Sequence, residues 1–223
     1  MAGSYRDQSI RIEDQAVVVH PIDAKADQRR AQLAESALQT LSELGYARTS
    51  VRDIAQNSEF SHGVLHYYFK DKAELIVYSV RLYKTRCATR YDYVVATATT
   101  PEELVDGFVA KLRESLQNEA PMHRLWYDLR IQAMYIPEYQ PDVLEIDALL
   151  EDMTWRVVSK YAELLGTEVS LPRDVIYGAL DGVFQKALLE FLSGDKEAVL
   201  RLGEQARGAL PLFVAHVSLS RPL

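Results

Sequence analysis

Between Ser50 and Asp71 the chain places three helix starts in close succession. Ser50 precedes Val51, Ile54 and Ala55, and Asp53 stands three residues on, the spacing of a capping box. Ser61 precedes a second short stretch, His62 to Phe69, whose inward residues are Val64, Leu65 and Phe69. Asp71 precedes a third, with Glu74 at the capping-box place. Asn57-Ser58-Glu59-Phe60 breaks the apolar pattern between the first two. Two short helices joined by a tight turn form a helix-turn-helix, and the rest of the chain has to support it.

The second short helix has an unusual outer face. His62, Gly63, His66 and Tyr67 point away from the apolar side, and Tyr68 and Lys70 follow. An ordinary amphipathic helix carries Glu and Lys there. Hydrogen-bonding rings suit base edges, sugars and phosphates. Gly63 lowers helix propensity by about 1 kcal/mol relative to Ala, and its missing side chain lets another backbone come close. His62 and His66, four apart, also have a spacing that can hold a metal. No Glu accompanies them as in a metalloprotease helix and no third ligand is evident, so DNA contact is the favoured reading.

S-V-R-D-I-A, followed by F-S-H-G-V-L-H-Y-Y-F-K-D-K-A-E-L, resembles the DNA-binding signature of the TetR (tetracycline repressor) family, over roughly Lys25 to Leu82. The resemblance implies an all-α fold: a helix-turn-helix head followed by a helical ligand-binding and dimerisation domain. It implies that Thr49, Ser50 and Arg52 lie at phosphate-contacting positions. It places Ser61, His62 and Gly63 where the recognition helix enters the major groove, with His66, Tyr67 and Tyr68 at base- or phosphate-contacting positions. Lys72, in the first turn of the next helix, matches a phosphate-pairing lysine, assisted by the helix N-terminus. Two departures stand out. Histidine at His66 replaces a frequent aromatic, and Tyr68 replaces a frequent histidine.

Net charge of −7 looks wrong for a DNA binder until its distribution is read. Residues 25–90 hold eleven Lys and Arg against seven Asp and Glu, or +4, and the remainder holds fourteen against twenty-five, or −11. A basic head on an acidic body binds phosphate locally. The single cysteine, Cys87, excludes an internal disulfide and fits a reducing cytoplasm. No apolar run approaches the ~18–20 residues that span a bilayer, and Val17-Val18-Val19 is too short for a signal-peptide core. The expected location is cytoplasmic, with no membrane partner.

The boundaries read as an extension over 1–24, a DNA-binding domain over 25–71 and a helical domain over 72–223. The extension carries Arg6 and Arg11, which suggest a minor-groove arm, beside Asp7, Glu13 and Asp14, which argue against one. Helices are predicted over Lys25–Leu44, Lys72 to about Thr97, Pro101–Gln117, Pro121–Tyr135, Asp142–Leu165, Pro172–Leu192 and Lys196–Val217, with Pro211 kinking the last. Arg29 and Arg30, near the start of the first, are read either as phosphate contacts or as solvated.

Large side chains gather in the middle of the second domain. Trp126, Tyr127, Met134, Tyr135, Met153, Trp155, Tyr177 and Phe184, with polar Arg130, Gln132 and Gln185, form a candidate ligand cavity for a mostly apolar molecule, aromatic or acyl. Gly178, Gly182, Val183, Leu188, Gly203, Ala206 and Leu210, on the last two helices, form a candidate dimer interface. No catalytic motif, metal site or cofactor is indicated. The reading is a ligand-responsive regulator, by resemblance a repressor, that binds a pseudo-palindromic double-stranded operator as a homodimer and is released by a small molecule. The alternatives are a helical binding protein or enzyme that has lost DNA binding, and an effector-independent DNA-binding protein.

Overall fold

The computed structural model describes residues 21–45 and 48–215. Among them every extended element is a helix, apart from one isolated antiparallel bridge between Val169 and Val214. Residues 1–20, with the proposed arm, and the predicted helix end at Val217 lie outside the described residues.

Helix α1 spans Pro21–Leu44. It starts four residues before the expected Lys25, because a proline is tolerated in the first turn, where its missing N–H costs nothing. Leu33, Ala34, Ala37, Leu38 and Leu41 are buried at helical spacing. Gly45 ends the helix with φ 80°, and its N–H donates to the Leu41 carbonyl at 2.8 Å.

The next three helices are α2 (Val51–Gln56), α3 (His62–Tyr68) and α4 (Lys72–Thr89), each opened by the expected cap. Ser50 Oγ accepts from the Asp53 N–H at 3.2 Å, and Asp53 Oδ2 accepts from the Ser50 N–H at 2.8 Å. Ser61 Oγ accepts from Val64, and Asp71 Oδ1 from Glu74 at 2.9 Å. Glu74 Oε2 in turn accepts from the Lys70 N–H, one residue earlier than a strict capping box. Ile54, Phe60, Leu65 and Phe69 are buried against α1 and α4. The arginines of α1 brace this packing. Arg29 lies 4.4 Å over the Phe60 ring, and Arg30 stacks on Phe69 and Tyr78 while pairing with Glu74.

Helix α4 stops at Thr89, and a separate short helix, α5 (Asp92–Thr97), follows. The expected continuous helix to Thr97 is thus interrupted at Arg90 and Tyr91. There Tyr91 turns into the core against Phe108, 5.3 Å between ring centres, and Arg90 grips Glu119. Close contact between α5 and the next helix is permitted by Gly107, where a Cβ would sit 2.6 Å from Val94 Cγ1.

Helix α6 runs Pro101–Gln132, capped by a Thr100–Glu103 box and bent at Glu119 (φ −127°, ψ 17°), two residues before Pro121. The two predicted helices are its two arms, because Pro121 removes a donor and crowds the preceding turn. Helix α7 (Gln140–Leu165) ends at left-handed Gly166. Helices α8 (Arg173–Leu192) and α9 (Ala198–Ala209) close the body. Pro211 ends the last helix rather than kinking it: Leu210–Phe213 tightens into a 3-10 turn.

The candidate dimer set divides here. Leu188, Ala206 and Leu210 are buried in the chain's own core, Val183 is half-buried, and Gly203 is covered by the Arg113 side chain. These five are placed by the monomer's packing. Gly178 and Gly182 are exposed on α8, with nothing within 4 Å of where a Cβ would stand. Beside them Val175, Leu189 and Leu192 are exposed apolar residues in the same helical phase.

Candidate functional site

The outer face of α3 is open. His62, Gly63, His66 and Tyr67 are all exposed, Tyr67 to 82%. The His62 and His66 rings meet edge-to-face, 4.4 Å between centres, and Tyr67 meets Tyr68 in the same manner at 5.0 Å. Tyr68 is half-buried against the head core. A Cβ on Gly63 would meet only Ser61 Oγ, at 3.9 Å. The fold itself therefore has room for a side chain at Gly63.

The remaining head candidates separate by exposure. Arg52 and Ser61 are exposed. Ser50 is exposed, but its hydroxyl is engaged with Asp53, and that bond holds the Asp53 carboxyl below the usual range. Thr49 is buried, and its hydroxyl donates to the Gly45 carbonyl at 2.8 Å, so its polar atom is spent on closing the turn after α1. Lys72 is half-buried at the start of α4. Burial lowers its pKa, against the fields of Asp128 and Asp53. Among the described residues no group of three or more His, Cys, Asp or Glu could hold a metal ion, and His62 with His66 stands as a pair.

A cavity of about 80 Å³ lies within the body, lined from α4, α6, α7, α8 and α9. Of the predicted lining, Tyr127, Met153, Tyr177 and Phe184 face it. Trp126 is fully buried in the core behind it, its indole N–H without a partner. Trp155 lies elsewhere, stacked under Arg173 at 5.4 Å. Met134 and Tyr135 are 73% and 80% exposed in the turn after α6, because the helix ends at Gln132 and carries them out of the core. Arg130 sits behind the cavity wall, pairing with Asp181 at 2.6 Å and Asp147 at 3.2 Å.

The cavity's polar side was missed in the sequence. Lys84 and His123 both line it and are both buried. Lys84 Nζ lies 3.2 Å from His123 Nδ1, and His123 Nε2 lies 2.7 Å from Ser115 Oγ and 3.1 Å from the Tyr83 hydroxyl. Tyr83 donates to Glu119 at 2.7 Å, and Arg90 closes on the same carboxylate at 2.6 Å. Burial pushes Lys84 down to about 8. His123 is driven well below the ordinary histidine range by burial and then by the Lys84 charge, so the ring is neutral. With Lys84 donating to Nδ1, the ring proton sits on Nε2 and is offered to Ser115. Opposite, Tyr127 donates to Asp181 at 2.9 Å and Tyr177 to Asp147 at 2.5 Å. Burial, then the facing carboxylates, raise both phenols far above their usual range.

A signal for both residues was present. Lys84 stands in phase with Val80 and Cys87 on the apolar stripe of α4, and His123 in phase with Leu116 and Tyr127 on α6. A charged or titratable residue in an apolar register marks a buried polar site.

Residues 33–78 match the family model described as bacterial regulatory proteins, tetR family. Over this head, then, the chain is similar to the tetR family. The HTH-type transcriptional regulator BetI of Burkholderia thailandensis is 28% identical over 110 residues, which are 49% of this chain and 56% of that protein. The chain thus spans about half the length of the curated relatives it matches. A TetR transcription regulator from Haloarcula marismortui superposes with a TM-score of 0.69 at 17% identity, over 85% of this chain and 100% of the other. The transcriptional regulator FadR from Bacillus subtilis, solved with stearoyl-CoA, gives 0.64 at 17% identity, over 80% and 96%. These structural likenesses establish the shared all-α fold, head and body together.

Proposed function

We propose that the chain is a ligand-responsive transcriptional regulator, a repressor that binds a pseudo-palindromic operator as a homodimer and releases it on taking up a mostly apolar small molecule. The observation that carries the DNA-binding half is Gly63. It sits in the first turn of an exposed helix, flanked by His62, His66 and Tyr67, where the fold leaves room for a Cβ. A glycine that packing does not require is explained by a surface that must come close to something outside, and the DNA backbone is such a partner.

In this reading Arg52, Ser61, His62, Gly63, His66 and Tyr67 meet the DNA, and Tyr68 and Lys72 support its edge. Thr49 and Ser50 position α2 instead of touching phosphate. The exposed α8 stripe of Val175, Gly178, Gly182, Leu189 and Leu192 pairs with its symmetry mate, setting two heads at successive major grooves ~34 Å apart. The cavity is the effector site. One of its walls is α4, which is separated from α3 by only three residues, so a ligand that shifts α4 moves the recognition helix. The ligand acts through the difference in its affinity for the two arrangements.

The test is binding of the purified protein to its own upstream region by fluorescence anisotropy at several salt concentrations. Saturable binding whose log K falls linearly with log salt is expected. Absence of binding to that or other DNA, with the helical fold intact, favours the second reading: a helical small-molecule-binding protein, which the formed cavity also supports.

A further inference from the structure

The cavity wall is mostly apolar, but one buried cation stands on it without a counter-charge. Arg90 is neutralised by Glu119 at 2.6 Å. Asp181, the lining carboxylate, is taken by Arg130 and the Tyr127 hydroxyl. Lys84 takes part in none of the ion pairs among the described residues, although Asp181 and Glu119 bear on it from further off. Its short-range partners are the neutral His123 ring and the faces of Tyr83 and Trp126, 5.6 and 5.4 Å away. An ammonium has three N–H donors, and one is used on His123. A buried charge with spare donors facing a cavity is costly unless an anion completes it.

We infer that this cavity takes a small apolar molecule headed by a carboxylate, with Lys84 Nζ as the counter-ion of that carboxylate. The inference rests on the cavity being the effector site of the proposed regulator. A carboxylate fits better than a phosphate, because a single unpaired cation balances a single charge. A volume of about 80 Å³ is several times the ~10–15 Å³ that holds one water. It holds the head and first carbons of a medium-chain or aryl-alkyl acid, and because the cavity is partly open the rest of the tail extends along Phe108, Leu112, Met153 and Phe184 towards its mouth. An amine-headed molecule of the same shape would face Lys84 as a like charge.

The experiment is calorimetric titration of the full chain with octanoate, 1-octanol and octylamine, and with 3-phenylpropanoate and its alcohol, using wild type and Lys84→Met. Methionine keeps the length of the side chain without its charge, and Lys84→Gln serves as a second variant that keeps a donor. Circular dichroism confirms that each variant is folded. Wild type is expected to bind at least one acid tenfold or more tighter than its alcohol and to reject the amine. Lys84→Met should lose that acid preference while retaining the alcohol, and Lys84→Gln should fall between. Equal affinity for acid and alcohol in wild type, an unchanged preference in Lys84→Met, or no binding of either acid overturns the inference. Parallel DNA-binding assays separate the two claims. An acid that binds through Lys84 without altering DNA affinity contradicts the regulatory reading alone. DNA release by the alcohols with no acid preference contradicts the carboxylate anchor alone.

Discussion

Lys84 Nζ and His123 Nδ1 lie 3.2 Å apart in the interior, joining α4, which starts beside α3, to the second arm of α6. Four further groups extend this link, Ser115, Tyr83, Glu119 and Arg90, and Glu119 is itself the residue at which α6 bends. On the proposed reading, a ligand head meeting Lys84 would act on α4 and on the bend of α6 behind it.

The buried lysine predicts a pH signature. Its pKa is lowered from 10.5 to about 8 in the folded chain, so between these values the unfolded chain holds more protons. Stability then rises with pH, because the penalty on the charged form disappears as the folded lysine deprotonates. The penalty is on the order of 3 kcal/mol at neutral pH. The stability of Lys84→Met relative to wild type should be most favourable below pH 8 and should decline by that order towards pH 10.5. Denaturant titrations of both proteins across this range check it. The raised tyrosines oppose the trend above pH 10 but are shared by both proteins and cancel in the difference.

Gly63→Ala separates folding from recognition. The fold has room for the methyl, and Ala favours a helix over Gly by about 1 kcal/mol, so thermal stability should hold or rise slightly. DNA affinity should fall by about tenfold, or ~1.4 kcal/mol, if a DNA backbone approaches there. A loss of stability, or unchanged DNA affinity, contradicts the close approach.

Tyr67→Ala removes a ring that is 82% exposed and makes no core contact. Its effect should appear in DNA binding, weakened by ~1–3 kcal/mol as for a base or phosphate contact, with the melting temperature unchanged. Thr49→Val should do the reverse. It removes the hydroxyl that donates to the Gly45 carbonyl, costing about 1 kcal/mol of stability, and should leave the salt dependence of DNA binding as in wild type.

The α8 stripe predicts the assembly. Leu189 is 70% exposed and its loss leaves the chain's own core intact. Leu189→Glu with Val175→Glu places like charges on both sides of the proposed two-fold contact. Sedimentation should show wild-type dimers and a monomeric, helical variant. A wild-type monomer, or an unaffected dimer in the variant, argues for another contact face.

The head was legible in the sequence because its signals are local. Ser50, Ser61 and Asp71 each determine a helix start through bonds to residues three positions on, and the structure forms all three. Non-local consequences were less visible. Nothing local in Arg90 and Tyr91 shows that Glu119 and Phe108 will draw them out of a long helix. Met134 and Tyr135 look like core by composition, yet lie past a helix end set by the turn to Pro137. Ala206 and Leu210 share the small and apolar character of a dimer seam, but the contacts with α6 that bury them depend on the packing of distant helices. Lys84 and His123 are hard to read from sequence because they stand on apolar faces, where burial rather than local polarity gives them their significance.

The most direct test of the central claim is selection of bound sequences from a random double-stranded DNA pool by the purified full chain at near-physiological salt. Enrichment of inverted repeats with half-site centres one helical turn, ~34 Å, apart is the predicted result, since two heads related by a two-fold axis must meet successive major grooves. A pool that emerges unenriched, while the protein remains folded and binds small molecules, would contradict it.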